Sequence, residues 1–284
     1  MTSSPLRYRL LNVFAQPDDP FSGNPLCVFE DGSGLSEHHL QALARQFNLS
    51  ETTFLVEPQG GADVGVRIFT PHYEMAFAGH PTLGSAAVAR ELARGGDLVR
   101  LSMPAGVIPV TADGPDWTLT ARPGVVGPAY DVADIAAAVG LRADELVGPV
   151  HEVSTGSAQV IAQAASVEAI HRAVGDAALM RRYAGMGTRG GETLVYLWCE
   201  TGDGTIEARA LFTQGSAAIE DPATGSACSN LGAWLASVGR SGEWSVAQGS
   251  QVDRPSTLRL AVSDDGVVTV GGLVRQVGWG EVEL

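Results

Sequence analysis

The amino-acid sequence repeats short motifs at an offset close to half its length, and this repeat constrains the fold more than any other feature. Three pairs of motifs share nearly one offset: HPTLGSA at His80–Ala86 with DPATGSA at Asp221–Ala227 (221 − 80 = 141), Glu51-Thr52 with Glu192-Thr193 (192 − 51 = 141), and RIFT at Arg67–Thr70 with ALFT at Ala210–Thr213 (210 − 67 = 143). Half of the chain is 284 / 2 = 142 residues. We therefore expect each half to be one copy of the same strand-and-helix unit.

Strand patterns outnumber helix patterns in both halves. Helices are predicted after Ser36, from Pro81 to about Ala93, after Ser166 and over Ala227–Val238. The two long helices open with small residues, which fits a helix wrapped closely by a strongly curved sheet. Runs rich in β-branched and aromatic residues predict strands at Arg7–Phe14, Thr53–Glu57, Asp63–Phe69, Asp97–Met103, Trp117–Ala121, Thr193–Cys199, Thr205–Phe212, Thr257–Val262 and Leu273–Val277. The predicted fold class is α+β, with two pseudo-symmetric lobes.

Composition limits the classes of partner. The chain is 45% hydrophobic and only 18% charged, so it should bury a substantial core. Its net charge is −14, from 18 Lys and Arg against 32 Asp and Glu, and the basic residues form no cluster; this argues against nucleic acid and anionic membrane as partners. No run of about 18 apolar residues occurs, so we expect no membrane span. Three cysteines without metal-ligand spacing favour a reduced, cytoplasmic location and no metal site.

Glu51 is the first candidate for chemistry. It stands in Ser50-Glu51-Thr52, between a predicted helix that ends near Phe47 and a predicted strand. A carboxylate at such a junction can project into a partly desolvated cleft and act as a general acid or base. The alternative is that Glu51 is a solvated turn residue, and its position alone leaves both interpretations open.

His80 is the second candidate, in Gly79-His80-Pro81 at the start of a predicted helix. The first N–H groups of a helix carry a partial positive charge and bind carboxylates readily. The same field should lower the pKa of the imidazole and keep it neutral. The alternative is a histidine with only a structural role.

The third candidate is the segment from Asp221 to Ser226. Asp221 is either an N-cap of the following helix or a site carboxylate. The run Thr224-Gly225-Ser226 offers several backbone N–H groups that can bind a carboxylate or a developing enolate oxygen. Asn24, in a predicted turn into a strand, is a further candidate for a hydrogen bond into the same cleft.

Six motifs in order resemble the phenazine-biosynthesis (PhzF-like) family. They are GNPLCVF at Gly23–Phe29, NLSETTF at Asn48–Phe54, RIFTP at Arg67–Pro71, FAGHPTLGSA at Phe77–Ala86, EDPATGSA at Glu220–Ala227, and the pair Gln248-Gly249 and Arg254-Pro255-Ser256. Together they span most of the chain, which makes the resemblance far more specific than any single motif.

The resemblance implies a diaminopimelate-epimerase-like fold, in which two lobes, each a curved β-barrel around a central helix, enclose the site. It implies an N-terminal lobe over 1–122, completed by a last strand at about 273–284, and a C-terminal lobe over 123–272. It also implies a homodimer. Glu51 takes the general acid/base role, and His80 and Asp221 orient the substrate. The remaining predicted binding residues are Asn24, Ser50, Gly79, Thr224, Gly225 and Ser226.

The best-known reaction of the family isomerises trans-2,3-dihydro-3-hydroxyanthranilate. We therefore expect a proton and a double bond to move on a small acidic substrate of this kind, without metal or organic cofactor. Two alternatives stay open: an epimerase or racemase with Glu51 and Asp221 as opposed bases, and a non-catalytic metabolite-binding protein. A two-thiol racemase is disfavoured, because Gly79 and Asp221 stand in the regions where the epimerase relatives carry cysteines.

Overall fold

The chain divides into two units whose boundaries interrupt its linear order. In the computed structural model, which describes residues 5–185, 192–202 and 204–284, one unit comprises Met1–Leu119 with Gly271–Leu284 and the other comprises Thr120–Val270. The last strand of the chain therefore starts in the second unit and continues through the first.

The first unit is a closed barrel of eight strands around one helix. Its elements are β1 (Leu6–Ala15), β2 (Asn24–Phe29), α1 (Glu37–Phe47), β3 (Glu51–Val56), β4 (Val64–Phe69), β5 (Glu74–Met75), α2 (Gly79–Glu91), β6 (Leu98–Met103), β7 (Gly106–Asp113), β8 (Asp116–Thr120) and the long last strand, β17 (Val268–Val282). Pairing runs β1-β2-β3-β4-β6-β7-β8-β17 and returns to β1. The β2–β3 and β4–β6 pairs are parallel, and the pairs β1–β2, β3–β4, β6–β7, β7–β8 and β1–β17 are antiparallel.

The helix inside this barrel explains the small residues at its start. α2 packs against β1, β2, β3, β4, β6 and β7, and every residue from Gly79 to Ala89 is buried. A Cβ on Gly84 would lie only 2.4 Å from Leu26 Cδ2. The strands can pack this closely around α2 because small residues at its start occupy little volume.

α1 lies on the outside of the same unit and is amphipathic. Leu40, Leu43 and Ala44 are buried, and the hydroxyl of Ser36 accepts a hydrogen bond from the His39 N–H and caps the helix, so the helix predicted after Ser36 is confirmed. The helix ends at Asn48, whose left-handed backbone (φ 51°) stops it. This ending turns the chain into β3, whose first residue is Glu51.

The second unit repeats the connectivity of the first. Its elements are β9 (Val125–Tyr130), α3 (Val132–Ala138), β10 (Leu146–Ser154), β11 (Ala158–Ala164), α4 (Val167–Arg172), α5 (Ala177–Tyr183), β12 (Leu194–Gly202), β13 (Thr205–Gln214), β14 (Ala217–Asp221), α6 (Gly225–Ser237), β15 (Gly242–Gln248) and β16 (Ser256–Val262). Single 3-10 turns lie at Ala143–Glu145 and Ser250–Val252. Strands pair in the order β9-β10-β11-β12-β13-β15-β16, and α6 packs against β9, β10, β11 and β16.

The two units match pair by pair, which confirms the predicted repeat. The parallel pairs β2–β3 and β4–β6 correspond to the parallel pairs β11–β12 and β13–β15. The antiparallel pairs β3–β4 and β4–β5 correspond in the same way to β12–β13 and β13–β14. The α+β class and the two similar lobes are therefore established.

The residue-level alignment of the repeat is wrong at two places. α2 begins at Gly79 and α6 at Gly225, an offset of 225 − 79 = 146, so His80 lies inside α2 whereas Asp221 ends β14 before its helix begins. Phe69 and Phe212 are equivalent residues of the motifs RIFT and ALFT, and they pair with Thr52 and Leu194. Thr52 therefore corresponds to Leu194, and Glu51 corresponds to Thr193, not to Glu192. Short insertions between elements make the offset between equivalent residues of the two units change along the chain.

Within the described ranges, the structure contains no helix with the length and apolar content that a membrane crossing requires.

Candidate active site

Glu51 and His80 meet in the first unit because two strand starts and a helix start converge there. Glu51 opens β3, and its neighbour in the parallel strand β2 is Leu26. Pro25 precedes Leu26 and lies beside the first turn of α2, which carries His80. The His80 Nε2 atom lies 3.4 Å from the Glu51 Oε2 atom.

Glu51 is not the solvated turn residue of the alternative interpretation. Its side chain is only 16% exposed, and the side chain of His80 is 6% exposed. Ser50, the preceding residue, is exposed, whereas Glu51, the first residue of β3, is shielded from solvent. A largely desolvated carboxylate beside an imidazole is a typical arrangement for moving a proton.

Hydrogen bonding fixes the imidazole of His80 in one tautomer. A ring N–H donates to the carbonyl oxygen of Pro25. Within the described residues Nε2 makes no hydrogen bond, so Nδ1 is the donor. The neutral ring therefore carries its proton on Nδ1 and turns the lone pair of Nε2 toward Glu51.

The direction of the His80 pKa agrees with the predicted neutral imidazole, and its main cause is burial. Burial lowers the pKa of His80 from 6.5 to about 3, and the Pro25 carbonyl opposes this only in part. The His80 side chain is only 6% exposed, so desolvation disfavours the imidazolium, whereas an ionised Glu51 at 3.4 Å favours it.

The other predicted residues of the first unit adjoin this pair along the chain or along β2, the strand that pairs with β3. Asn24 opens β2 and is fully buried, and Gly79 is the buried first residue of α2. Gly23 has a φ of +83°, and a Cβ there would lie 2.7 Å from the Val13 carbonyl oxygen, so only glycine allows this entry into β2. No described side chain caps α2 at Ala78, so its first turn presents uncapped N–H groups.

In the second unit, Asp221 is not the N-cap of α6. The N-cap is Thr224, and Asp221 is the last residue of β14. The Thr224 hydroxyl donates to Asp221 Oδ2 over 2.5 Å. The N-cap alternative for Asp221 is therefore wrong, because three residues separate its strand end from the first turn of the helix.

Gly225 and Ser226 open α6, as predicted for a group of N–H donors. Gly225 is buried, and the Ser226 hydroxyl oxygen accepts a hydrogen bond of 2.9 Å from Gln159 Nε2. The side chain of Thr224 makes no capping hydrogen bond to the helix. A helix start of this kind can bind an anion through its backbone N–H groups.

Three contributors escaped the sequence prediction. Gln248 was recognised only as part of a motif, although its buried amide contacts both Asp221 and Thr224. Gln159, which contacts Ser226, and the carbonyl of Pro25 gave no chemical signal. Backbone carbonyls and neutral amides are common throughout a chain, so only their position in the fold reveals a role.

The cysteines are unsuited to acid/base chemistry. Cys27 and Cys228 are fully buried and Cys199 is 8% exposed. Burial raises the pKa of all three thiols, since desolvation disfavours the thiolate. Over the described part of the chain, no group of three His, Cys, Asp or Glu side chains is arranged to hold a metal ion.

The fold places the chain in a class of two-unit α+β proteins, and the first unit holds a mostly buried carboxylate–imidazole pair at a helix start. The family model described as phenazine biosynthesis-like protein (PhzC-PhzF) matches residues 11–274. The chain therefore belongs to this family, which confirms the resemblance read from the six motifs.

Relatives and solved structures agree with this assignment. An uncharacterized isomerase of Pasteurella multocida is 32% identical over 283 residues, covering 98% of this chain and 94% of the relative. The trans-2,3-dihydro-3-hydroxyanthranilate isomerase of Pseudomonas aeruginosa is 30% identical over 270 residues, covering 89% and 88%. A Bacillus anthracis phenazine biosynthesis protein of the PhzF family superimposes with a TM-score of 0.84 at 21% identity, covering 99% and 100%, which supports the fold. The chain is an isomerase of this family.

Proposed function

We propose that the protein isomerises a small cyclic unsaturated amino or hydroxy acid similar to trans-2,3-dihydro-3-hydroxyanthranilate, by proton transfer through Glu51. One observation carries this proposal: a mostly buried carboxylate lies 3.4 Å from the unprotonated nitrogen of a neutral imidazole, at a helix start. The named substrate of the Pseudomonas aeruginosa relative supplies the substrate class.

In the first step, the Glu51 carboxylate removes a proton from an activated carbon of the substrate. The C–H bond breaks and its electron pair enters the conjugated system, so the double bond moves. The substrate's own conjugation spreads the charge, and the step requires neither a metal nor an organic cofactor.

His80 then holds the proton on Glu51 until it is returned. The Nε2 lone pair accepts a hydrogen bond only from the protonated form of Glu51, because two lone pairs face each other when the carboxylate is ionised. A neutral His80 therefore favours the proton-carrying form and orients it. In the second step, Glu51 gives the proton to a second carbon, whose new C–H bond uses an electron pair of the conjugated system.

We assign the binding of the substrate's carboxylate to the start of α6. The backbone N–H groups of Gly225 and Ser226 attract negative charge, and Asp221 and Thr224 orient polar groups of the substrate. In the first unit, Asn24, Ser50 and Gly79 are assigned to substrate binding. These assignments rest on the sequence motifs and on the internal geometry of each unit.

We also propose a homodimer, as the resemblance implies, and a cytoplasmic location, which the three cysteines favour. Size-exclusion chromatography with light scattering tests the dimer directly. A monomeric mass at micromolar concentration contradicts it.

The reaction is tested by incubating the protein with trans-2,3-dihydro-3-hydroxyanthranilate in D₂O and following the products by NMR. Isomerisation moves the double bond and creates a C–H or C–D bond at a new carbon. An epimerase instead inverts one carbon and exchanges deuterium there, with the double bonds unchanged. A binding protein exchanges nothing. Either of the last two results, or an unchanged substrate, refutes the proposed reaction.

A further inference from the structure

We propose that Gln248 is a positioning residue, which fixes the direction of a hydrogen-bond chain that ends on the Asp221 carboxylate. The inference rests on the proposed function, in which Asp221 orients the substrate. Gln248 is the last residue of β15 and is fully buried. Its side chain is remote in sequence from Asp221 and carries no charge.

All the polar atoms of the Gln248 amide are engaged around the start of α6. Nε2 donates to the backbone oxygen of Asp221 over 2.8 Å and to Thr224 Oγ1 over 3.0 Å. Oε1 accepts from the Thr224 N–H over 3.3 Å and from the hydroxyl of Tyr196 over 3.2 Å. Tyr196 is itself fully buried.

Two of these partners cannot exchange roles, and they set the orientation of the amide. The backbone oxygen of Asp221 only accepts, and the backbone N–H of Thr224 only donates. A flipped amide would place oxygen against oxygen and N–H against N–H. One orientation of Gln248 therefore satisfies the buried backbone.

This orientation decides where the Thr224 hydroxyl points. Because Nε2 of Gln248 donates to Thr224 Oγ1, the hydroxyl accepts on that side and has its single proton left to donate. Asp221 Oδ2 lies 2.5 Å away and accepts it. Donation to a carboxylate oxygen stabilises the ionised form and fixes the side-chain rotamer.

The backbone after Gln248 brings the amide close enough to act. Gly249 has a φ of +83°, and a Cβ there would lie 2.4 Å from the Pro222 carbonyl oxygen. The end of β15 therefore packs directly against the loop that follows Asp221. Only glycine permits this approach, so Gly249 is needed for the Gln248 amide to reach Asp221 and Thr224.

The test compares Gln248→Met, which keeps the length but removes every hydrogen bond, with Gln163→Met at a half-buried position of β11. The Asp221 carboxyl ¹³C signal, assigned by its loss in Asp221→Asn, is titrated without substrate. We expect a higher titration midpoint in Gln248→Met than in wild type and no change in Gln163→Met. An unchanged midpoint in folded Gln248→Met overturns the inference.

The same variants are then assayed with trans-2,3-dihydro-3-hydroxyanthranilate as a function of pH. We expect kcat/KM of Gln248→Met to fall about ten- to hundredfold, with its acidic limb moved to higher pH. If Gln248 has only a structural role, Gln248→Met lowers the midpoint of unfolding but leaves the acidic limb of kcat/KM at the same pH. That result overturns the inference.

If wild-type protein leaves the substrate unchanged, the proposed function is wrong. The titration of the Asp221 carboxyl still decides the role of Gln248, because it is measured without substrate. If Gln248→Met does not fold, Tyr196→Phe serves instead, because it removes only the hydrogen bond from the Tyr196 hydroxyl to Gln248 Oε1. It should lower kcat/KM by up to about tenfold, and its matched control, Tyr130→Phe, should not. Equal activity of these two tyrosine variants contradicts the inference.

Discussion

The buried, neutral His80 makes the stability of the protein depend on pH in a calculable way. Its pKa is about 3 in the folded chain against 6.5 in an exposed reference. Between these values the unfolded chain binds a proton that the folded chain does not. Lowering the pH through this window therefore favours unfolding, and the full contribution of His80 to stability is present only above about pH 6.5.

The size of the effect follows from the two pKa values. Between pH 7.5 and pH 5.0, protonation of the unfolded chain at His80 lowers the free energy of unfolding by about 2 kcal/mol. An ionised Glu51 at 3.4 Å works against this by favouring the imidazolium. The loss is therefore expected to be closest to 2 kcal/mol in the Glu51→Gln background.

Urea unfolding at pH 7.5 and 5.0 measures this difference in wild type and in His80→Asn. An asparagine amide can still donate to the Pro25 carbonyl but does not titrate in this range. We expect the pH-dependent loss in wild type to exceed that in His80→Asn by up to about 2 kcal/mol. His151→Asn, which alters an imidazole–carbonyl contact to Gly127 in the second unit, is the control.

Two results refute the reasoning about His80. One is an equal pH dependence in wild type and His80→Asn. The other comes from ¹⁵N NMR of the histidine rings, which should show His80 protonated on Nδ1 at neutral pH. A His80 ring protonated on Nε2, or titrating above pH 6, contradicts the assigned tautomer and its cause.

Three further predictions address other parts of the site. Replacing all cysteines with alanine should leave kcat within about threefold; complete loss of activity in a folded variant would revive a thiol mechanism. Gly249→Ala should lower the free energy of unfolding by about 1–3 kcal/mol in urea, and more than Gly266→Ala, where a Cβ would meet nothing closer than 4.0 Å; equal losses contradict the close approach to Pro222. Asp221→Asn should raise KM for trans-2,3-dihydro-3-hydroxyanthranilate about tenfold without changing the unfolding midpoint, and an unchanged KM argues against its orienting role.

The repeat in the sequence predicted the architecture, because each motif copy occupies an equivalent element in its unit. It did not predict which residues are equivalent. The insertions that shift α6 against α2 lie in connections, where the chain tolerates length changes and no periodic pattern marks them. His80 and Asp221 were therefore paired by sequence although the fold places them at different points of their units.

Several strands were missed for an identifiable reason. β10 contains Gly148 and Pro149, and β11 is rich in Ala and Gln, so neither shows the β-branched and aromatic content of a typical strand. Their pairing with neighbouring strands overrides weak local propensity. The Glu51–His80 pair was predictable from two motifs, whereas the contact with the Pro25 carbonyl depends on a parallel pairing that the sequence does not state.

The central claim is that Glu51 carries the transferred proton, and one substitution tests it most directly. Glu51→Gln preserves volume and polarity but cannot exchange a proton, and Glu57→Gln, at an exposed position just beyond β3, controls for the change in charge. Both are assayed by conversion of trans-2,3-dihydro-3-hydroxyanthranilate and by calorimetric binding of 3-hydroxyanthranilate, an aromatic analogue that has no tetrahedral ring carbon from which a proton could be removed.

We predict that Glu51→Gln binds the analogue like wild type but loses about 10²–10⁴ in kcat, while Glu57→Gln retains full turnover. Turnover of the folded Glu51→Gln variant within threefold of wild type would contradict the account.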